Sequence, residues 1–266
     1  MHNLSPQDFL AQMLATQTSS IAKYQFEQQT VWIKKAGKRH SIWLYRFFGI
    51  AAKLLKLQAL TPVPNLGGYQ SILTETHRLQ ELQQRGINVP ELLAYNEEGL
   101  MIADVGDAEV PSEQLESALK HSASAEDCLR LYKQVVDEVH RIHQKEVWLS
   151  EAFLRNMVFD KNQRIAFLDF ESDPGQYMNQ QLCFARDWLC LIFSASIYLK
   201  SHDVLEQGSS YLYATIQQES KQTQNAVLSA TKLFNWLNKL PLNKFGKDGY
   251  RLTAVLTVLA YLKALM

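Results

Sequence analysis

The chain has 266 residues, of which 47% are hydrophobic, and equal numbers of acidic and basic side chains give it no formal net charge. This length and composition suffice for a large buried core, in one domain or in two lobes. The balanced charge argues against a nucleic-acid partner. The three cysteines lack the paired spacing of metal ligands, which favours reduced thiols in a cytosolic protein: Cys128, Cys183 and Cys190.

The N-terminus predicts a helix rather than a targeting segment. It carries no basic start followed by an apolar run, so we expect no signal peptide. Residues 5–20 favour a short helix, with Ser5 as its cap and Pro6 at its first position. The next predicted element is a strand, in the run TVWIKK that begins at Thr30.

Two lysines end this predicted strand, Lys34 and Lys35. Successive side chains of a strand point to opposite faces, so only one of the two can face a cleft. Taken alone, a lysine at the end of an edge strand is most simply a solvated side chain. No glycine-rich loop precedes Lys34, because residues 16–33 contain no glycine.

Residues 39–60 combine apolar residues at helical spacing with basic residues. A basic, aromatic-rich amphipathic helix is typical of a segment that lies on an anionic membrane surface. A helix packed on the rest of the protein, with its lysine stems along apolar surface, is an equal alternative. No apolar run in the chain reaches about twenty residues, so we expect no membrane-spanning helix.

Residues 61–68 contain too much proline and glycine for a helix and predict an extended linker. A helix is predicted to begin at Thr74, its cap, and to end at Gly86. Glu75 would then lie in the first helical turn, where a carboxylate interacts favourably with the helix dipole. A hairpin with strands at 92–95 and 100–103 follows.

From Glu113 onward the sequence predicts a mostly helical region. Residues 125–145 form the clearest helix, with one apolar face. His140 and His143 lie three residues apart on it, without a third metal ligand in sight. We therefore expect these two histidines to pack or to form hydrogen bonds.

The stretch from residue 150 to residue 171 carries the most chemistry. A polar loop leads into a predicted hairpin with strands at 157–159 and 165–168. Antiparallel pairing would bring Asn156, just before the first strand, and Asp169, just after the second, to the same end of the hairpin. An amide oxygen and a carboxylate that converge in this way suit magnesium, which keeps phosphates or water as its other ligands.

These motifs resemble the protein-kinase-like superfamily, and among its branches the bacterial lipopolysaccharide kinases and related small-molecule kinases. The matching features follow the order of that family: Lys34, Glu75, the hairpin at 92–103 that leads to the hinge between the two lobes, Asn156, the triplet Asp169-Phe170-Glu171, and Asp187. The resemblance covers roughly residues 25–200. It implies an α+β, two-lobed kinase-like fold, with a small antiparallel sheet lobe at 1–106 that contains the insertion 39–60, and a larger, mostly helical lobe at 107–266.

The resemblance also implies a nucleotide and a metal, namely ATP and magnesium. Lys34, with Lys35 as the second choice, would bind the nucleotide phosphates, and Glu75 would hold the lysine extended towards them. Asn156 and Asp169 would bind the magnesium ion.

The predicted catalytic loop departs from the family pattern at one position. Leu149-Ser150-Glu151 stands where the family has its HGD motif, so Glu151 replaces the usual catalytic aspartate. Glu151 would orient or deprotonate the acceptor hydroxyl. The resemblance implies that Asp187 braces this loop through the loop backbone, and a salt bridge to Arg186 or to another basic group is the alternative.

Three functions remain open on the sequence alone. The first is a cytoplasmic kinase that phosphorylates a sugar or a lipid-linked saccharide of the lipopolysaccharide-core type, peripheral at the inner membrane. The second is a pseudokinase, which keeps the fold as a nucleotide-binding or interaction scaffold. The third is a membrane-surface protein whose activity resides in residues 39–60.

Overall fold

The computed structural model of the protein describes residues 4–37, 59, 61, 63–65, 67–237 and 246–265. The predicted basic helix at 39–60 therefore lies outside the described residues, apart from Ala59. The protein is α+β, as predicted, with a small antiparallel sheet near the N-terminus and a larger helical part. It divides into two compact units. The first unit consists of Met1–Arg46, Val63–Glu113 and Val158–Asp173, and the second consists of Phe47–Pro62, Gln114–Met157 and Pro174–Met266.

The first unit contains a four-stranded antiparallel sheet with the strand order β1-β2-β4-β3. Its strands are β1 (Ile21–Phe26), β2 (Gln29–Lys35), β3 (Leu92–Asn96) and β4 (Gly99–Ala103). The predicted hairpin at 92–103 is confirmed by β3 and β4. The sequence analysis did not predict β1, although side chains alternate between exposed and less exposed positions along it.

Helix α1 (Pro6–Thr16) contributes Leu10 and Leu14 to the apolar core of this unit. Its predicted cap is confirmed, because Ser5 Oγ accepts a hydrogen bond from the Asp8 N–H at 3.2 Å. The predicted end at residue 20 is wrong, since the chain is already extended at Gln17 and then enters β1.

Strand β2 sends its two lysines to opposite faces, as the period of a strand requires. Val31 and Ile33 are fully buried in the core. Lys35 belongs to their side of the strand, and its Nζ donates to the Gln17 carbonyl at 2.6 Å. Lys34 lies on the other side, away from that core.

Helix α2 (Gly68–Gln84) begins six residues before the predicted start. Thr74 is not its cap, and its hydroxyl instead donates to the Gln70 carbonyl within the helix at 2.9 Å. Gly67 and Gly68 have φ values of 63° and 58°, a left-handed conformation that glycine adopts easily, so the pair that predicted a linker starts the helix. Glu75 consequently lies in the middle of α2 rather than in its first turn.

A second sheet has the strand order β5-β6-β7. Its strands are β5 (Glu113–Gln114), β6 (Met157–Phe159) and β7 (Ile165–Phe167), which confirms the predicted hairpin at 157–168. Buried Asp160 holds the turn of that hairpin, because its Oδ1 accepts from the N–H groups of Asn162 at 2.8 Å and Arg164 at 2.9 Å. Strand β7 ends just before Asp169.

The second unit is helical in its described part. Its helices are α3 (Leu115–Lys120), α4 (Ala125–Gln144), α5 (Gln180–Ser201), α6 (Leu205–Ile216), α7 (Lys221–Leu237) and α8 (Gly246–Ala264). Helix α4 is the predicted amphipathic helix. Its N-cap is Ser124, whose side chain accepts from the Asp127 N–H at 3.1 Å, and its apolar face is buried, including Val135, Val139 and Ile142.

Helix α5 is the most buried element of the second unit and packs against α4, α6, α7 and α8. Among the helices of the described chain, it alone is long and apolar enough to cross a membrane. About two thirds of its most apolar window, 67%, is buried inside the protein. Core helices of globular domains share this length and composition, so α5 is weak evidence for a membrane span.

Candidate functional site

Lys34 lies at the centre of three carboxylates in the first unit, and we call these four side chains the Lys34 cluster. Its Nζ is 2.9 Å from Glu75 Oε2, 3.0 Å from Asp169 Oδ1 and 2.7 Å from Glu171 Oε1. Strand β2 supplies the lysine, α2 supplies Glu75, and the segment after β7 supplies the other two. Nζ donates hydrogen bonds to Glu75 and Asp169, and the ion pair with Glu171 is its third contact.

Burial and the neighbouring charges shift the pKa values of this cluster in opposite directions. Burial alone would lower the pKa of Lys34, but the carboxylates of Glu75, Asp169 and Glu171 outweigh it and raise that pKa above its usual range. Burial raises the pKa of Glu75, and the attraction of the Lys34 ammonium opposes this rise. Lys34 is therefore charged at neutral pH and is held in place by fixed partners.

Asp169 and Glu171 form the more accessible side of the Lys34 cluster. Their side chains are 47% and 28% exposed, whereas that of Glu75 is 3% exposed. Asp169 has a φ of 67°, a left-handed conformation that is uncommon outside glycine and is found disproportionately at functional sites. Residues 169 and 171 both reach Lys34.

The donor set of the Lys34 cluster suits a cation that brings other ligands with it. Three carboxylates face one ammonium, which leaves negative charge to be compensated. Magnesium is usually bound through one or two carboxylates, with phosphates or water as its other ligands. In the described part of the chain no group of three or more His, Cys, Asp or Glu side chains is placed to hold a metal ion, so phosphates or water would have to complete the coordination.

The other two predicted site residues, Glu151 and Asn156, lie together in the second unit, on the loop between α4 and β6. Asn156 is buried, and its Nδ2 donates to the Glu151 carbonyl at 3.2 Å. Glu151 Oε1 accepts from Arg186 at 3.1 Å, and its Oε2 lies 3.9 Å from Arg155. Asn156 and Asp169 belong to different units, so their convergence on one ion stays a prediction.

A buried charged network, which we call the His143 network, braces this loop. His143 Nδ1 lies 2.8 Å from Glu219 Oε1, and its Nε2 lies 3.4 Å from Asp187 Oδ2. Asp187 Oδ2 also accepts from the Leu149 N–H at 2.7 Å, and the Trp188 indole donates to Glu219 at 3.0 Å. The predicted bracing role of Asp187 is thus confirmed.

Arg186 is not the partner of Asp187. Its guanidinium instead donates to Glu151 Oε1, to the Ser150 carbonyl at 3.2 Å and to the Thr61 carbonyl at 3.2 Å. Of the two alternatives, a salt bridge between these neighbouring residues on α5 is therefore wrong, because their side chains leave the helix in different directions. The basic group that faces Asp187 is His143. His143 forms hydrogen bonds, as predicted.

No protein-family model matches this chain, and no curated protein matches it. The Lys34 cluster and the loop at residues 149–156 are therefore the features from which we infer a function. The structure pairs Lys34 with Glu75, as the sequence analysis predicted. It also brings Asp169 to Lys34 and places Glu151 beside Asn156.

Sequence reasoning missed three functional neighbours, which are Glu171, Asn65 and Glu219. Glu171 had a signal, because it stands two residues after Asp169 in the same triplet. Asn65 lies in the segment that predicted only a linker. Glu219 lies 76 residues from His143 along the chain, and no local pattern connects the two.

The first prediction concerns the pH dependence of the His143 network. Burial acts to lower the pKa of His143, but Asp187 and Glu219 outweigh it and raise that pKa above 6.5. Burial acts to raise the pKa of Glu219, but its bonds to His143 and Trp188 lower it below 4.5. His143 therefore contributes fully to the free energy of unfolding below pH 6.5, and this contribution is lost as pH rises through the folded pKa of His143. The contribution of Glu219 is lost in the opposite direction, as pH falls through the folded pKa of Glu219.

The network is therefore expected to stabilise the protein fully between pH 4.5 and pH 6.5. Urea unfolding of the wild type and of His143→Gln across pH 4–9 measures this effect. The free-energy difference between them should shrink as pH rises above 6.5. A constant difference would show that His143 is not charged in the folded protein.

Proposed function

We propose that the protein is a kinase-like phosphotransferase that uses ATP and magnesium to phosphorylate a hydroxyl of a sugar or of a lipid-linked saccharide. A two-lobed kinase-like fold, with lobes at 1–106 and 107–266, is part of this proposal. The observation that supports it most is the Lys34 cluster. In it, Lys34 of strand β2 pairs with Glu75 of helix α2 and with Asp169, which follows the β6–β7 hairpin. In protein kinases, a strand lysine paired with a helix glutamate and a metal-binding aspartate must be in place together.

Lys34, Glu75, Asp169 and Asn156 each have a defined part in this proposal. Lys34 binds nucleotide phosphate oxygens, and Glu75 keeps the ammonium charged and extended. Asp169 would hold magnesium, with Asn156 as the second protein ligand that the sequence predicts. When bound, magnesium supplies positive charge that neutralises the phosphates. Phosphoryl transfer depends mostly on such positioning and electrostatics, with little covalent chemistry for the protein to perform.

The turn between β1 and β2 differs from a glycine-rich phosphate-binding loop. Glu27 and Gln28 form it, and Glu27 has a φ of 53°. A glutamate at this tight turn offers neither the freedom of glycine nor a positive charge. In the proposed function, the phosphates therefore depend more heavily on Lys34 and on the metal than they do in enzymes that have such a loop.

One observation favours the second candidate, a pseudokinase that acts as a nucleotide-binding or interaction scaffold. Glu151, which replaces the usual catalytic aspartate, already accepts a charged hydrogen bond from Arg186 and has Arg155 nearby. A carboxylate that is engaged in this way is less free to accept a proton from an acceptor hydroxyl. Nucleotide binding at the Lys34 cluster would survive this change, whereas turnover would not.

A saccharide of the lipopolysaccharide-core type is the acceptor class that we propose, in a cytoplasmic protein that is peripheral at the inner membrane. The membrane contact would be made by residues 39–60, and a membrane-surface protein with no nucleotide site remains the third candidate. Flotation with anionic vesicles, with and without that segment, separates membrane binding from the rest.

Glu151→Gln tests the phosphotransferase against the scaffold. With γ-labelled ATP, magnesium and a panel of sugars and lipopolysaccharide fragments, we expect wild-type turnover to fall about a hundredfold to ten-thousandfold in the variant, the usual contribution of a general base. The affinity for ATP should be unchanged, because Glu151 does not belong to the Lys34 cluster. Glu146→Gln, an exposed change in the same unit, is the matched control. Wild type that binds ATP but transfers no phosphate to any acceptor would favour the scaffold.

A further inference from the structure

Glu171 has no part in the proposed function as described so far, although it makes the shortest ion pair of the Lys34 cluster, at 2.7 Å. Its second oxygen, Oε2, accepts a hydrogen bond from Asn65 Nδ2 at 2.5 Å. Asn65 is itself fixed, because its Oδ1 accepts from the Gly67 N–H at 2.9 Å, directly before α2. Both oxygens of Glu171 are therefore held, one by the lysine and one by an anchored amide.

Glu75 and Asp169 accept hydrogen bonds from Lys34, and Glu171 lies against the same ammonium at 2.7 Å, so three carboxylates surround its three donors. A phosphate oxygen that binds Lys34 must therefore replace one of the three carboxylates. Glu75 is 3% exposed, and its displacement would leave a buried charge without a partner. Asp169 is the proposed metal ligand. Glu171 is 28% exposed and can turn to solvent, so it is the partner whose loss costs least.

We propose that Glu171 occupies the Lys34 donor that a nucleotide phosphate takes, and that its displacement is a required part of nucleotide binding. This inference rests on the proposed function. The apparent affinity of a ligand falls in proportion to the fraction of molecules in the binding-competent state. If Glu171 leaves the Lys34 donor free in only about one molecule in ten, the apparent affinity for ATP is about tenfold weaker than that of the open form. Asn65 strengthens the effect, because it holds Glu171 in the position that blocks the phosphate.

Two variants test this role by isothermal titration with ATP and magnesium. Glu171→Gln keeps the size of the side chain and removes the charge that holds Lys34, so we expect ATP to bind about tenfold more tightly. Asn65→Ala changes no charge and releases only the second oxygen of Glu171, so we expect a smaller tightening, about twofold to threefold. Glu98→Gln, an exposed change in the β3–β4 turn of the same unit, is the control for net charge. It should bind ATP as the wild type does.

The possible outcomes separate this inference from the proposed function. If neither the wild type nor any variant binds ATP, both are overturned. If the wild type binds and Glu171→Gln binds equally or more weakly, or Asn65→Ala is unchanged, only the role of Glu171 is overturned. Equal tightening in Glu98→Gln would also overturn it, since the effect would then be one of net charge. Binding by Glu171→Gln where the wild type shows none would support the role directly.

Discussion

Replacing Lys34 with methionine is expected to lower the free energy of unfolding by about 3 kcal/mol at pH 7 and to abolish nucleotide binding. The change leaves Glu75 buried without a cation, and removal of one partner of a buried ion pair typically costs about 3–5 kcal/mol. The lower end applies, because Glu75, whose pKa burial already raises, can take up a proton. Urea unfolding of the variant and the wild type measures the loss.

The sign of the pH dependence follows from the same group. A carboxyl with a raised folded pKa contributes stability at low pH that is lost as pH rises through that pKa. The deficit of Lys34→Met relative to the wild type should therefore be smaller at pH 4 than at pH 7. A deficit that does not change with pH would contradict the assignment of the loss to Glu75.

The double variant Lys34→Met/Glu75→Met is the matched control for this prediction. Replacement of a whole buried ion pair by apolar side chains of similar size is often neutral or stabilising. We therefore expect its stability to lie within about 1 kcal/mol of the wild type, while nucleotide binding stays absent. If the double variant is as unstable as Lys34→Met, the ion pair is not the cause of the loss.

Replacing Asp187 with alanine is expected to lower the free energy of unfolding by about 3–5 kcal/mol. Asp187 is fully buried, and its Oδ2 serves both the Leu149 N–H and His143. Its removal leaves a buried N–H without an acceptor and a buried imidazolium with one counter-charge instead of two. Each of these losses is destabilising, because neither group can reach water.

Asp187→Asn separates these two losses. An asparagine oxygen can still accept from Leu149, but the negative charge opposite His143 is gone. We expect its stability to lie between those of the wild type and Asp187→Ala. The loss of stability with rising pH should also begin at a lower pH, because Asp187 no longer supports the charged form of His143. A stability of Asp187→Ala within 1 kcal/mol of the wild type would contradict the bracing role, given the usual cost of such losses.

The parts of the fold that sequence predicts are those that depend on neighbouring residues. The Ser5 cap, the β3–β4 hairpin and the β6–β7 hairpin are all local, and each was predicted at its place. The choice between Lys34 and Lys35 also depends on local alternation, and the partners of the two lysines agree with it. The start of α2 was missed because a Gly-Gly pair predicts a break equally well on either side of a helix boundary.

The parts of the site that sequence could not predict depend on contacts between distant residues. Glu171 approaches Lys34 across 137 positions of the chain, and it follows closely on Asp169, whose left-handed backbone conformation no local pattern predicts. Glu219 follows α6 in a segment without a recognisable motif, yet it neutralises His143. A charged residue in a sequence shows that it needs a partner when buried, but it does not show which partner.

Titration of the wild-type protein with ATP by calorimetry, first with magnesium and then with a chelator, tests the proposed nucleotide site most directly. The Lys34→Met/Glu75→Met variant is titrated beside it, because this variant is expected to be folded. We predict magnesium-dependent binding by the wild type and none by the variant. Equal binding by both proteins, or no binding by folded wild type and by Glu171→Gln alike, would contradict a nucleotide site at Lys34.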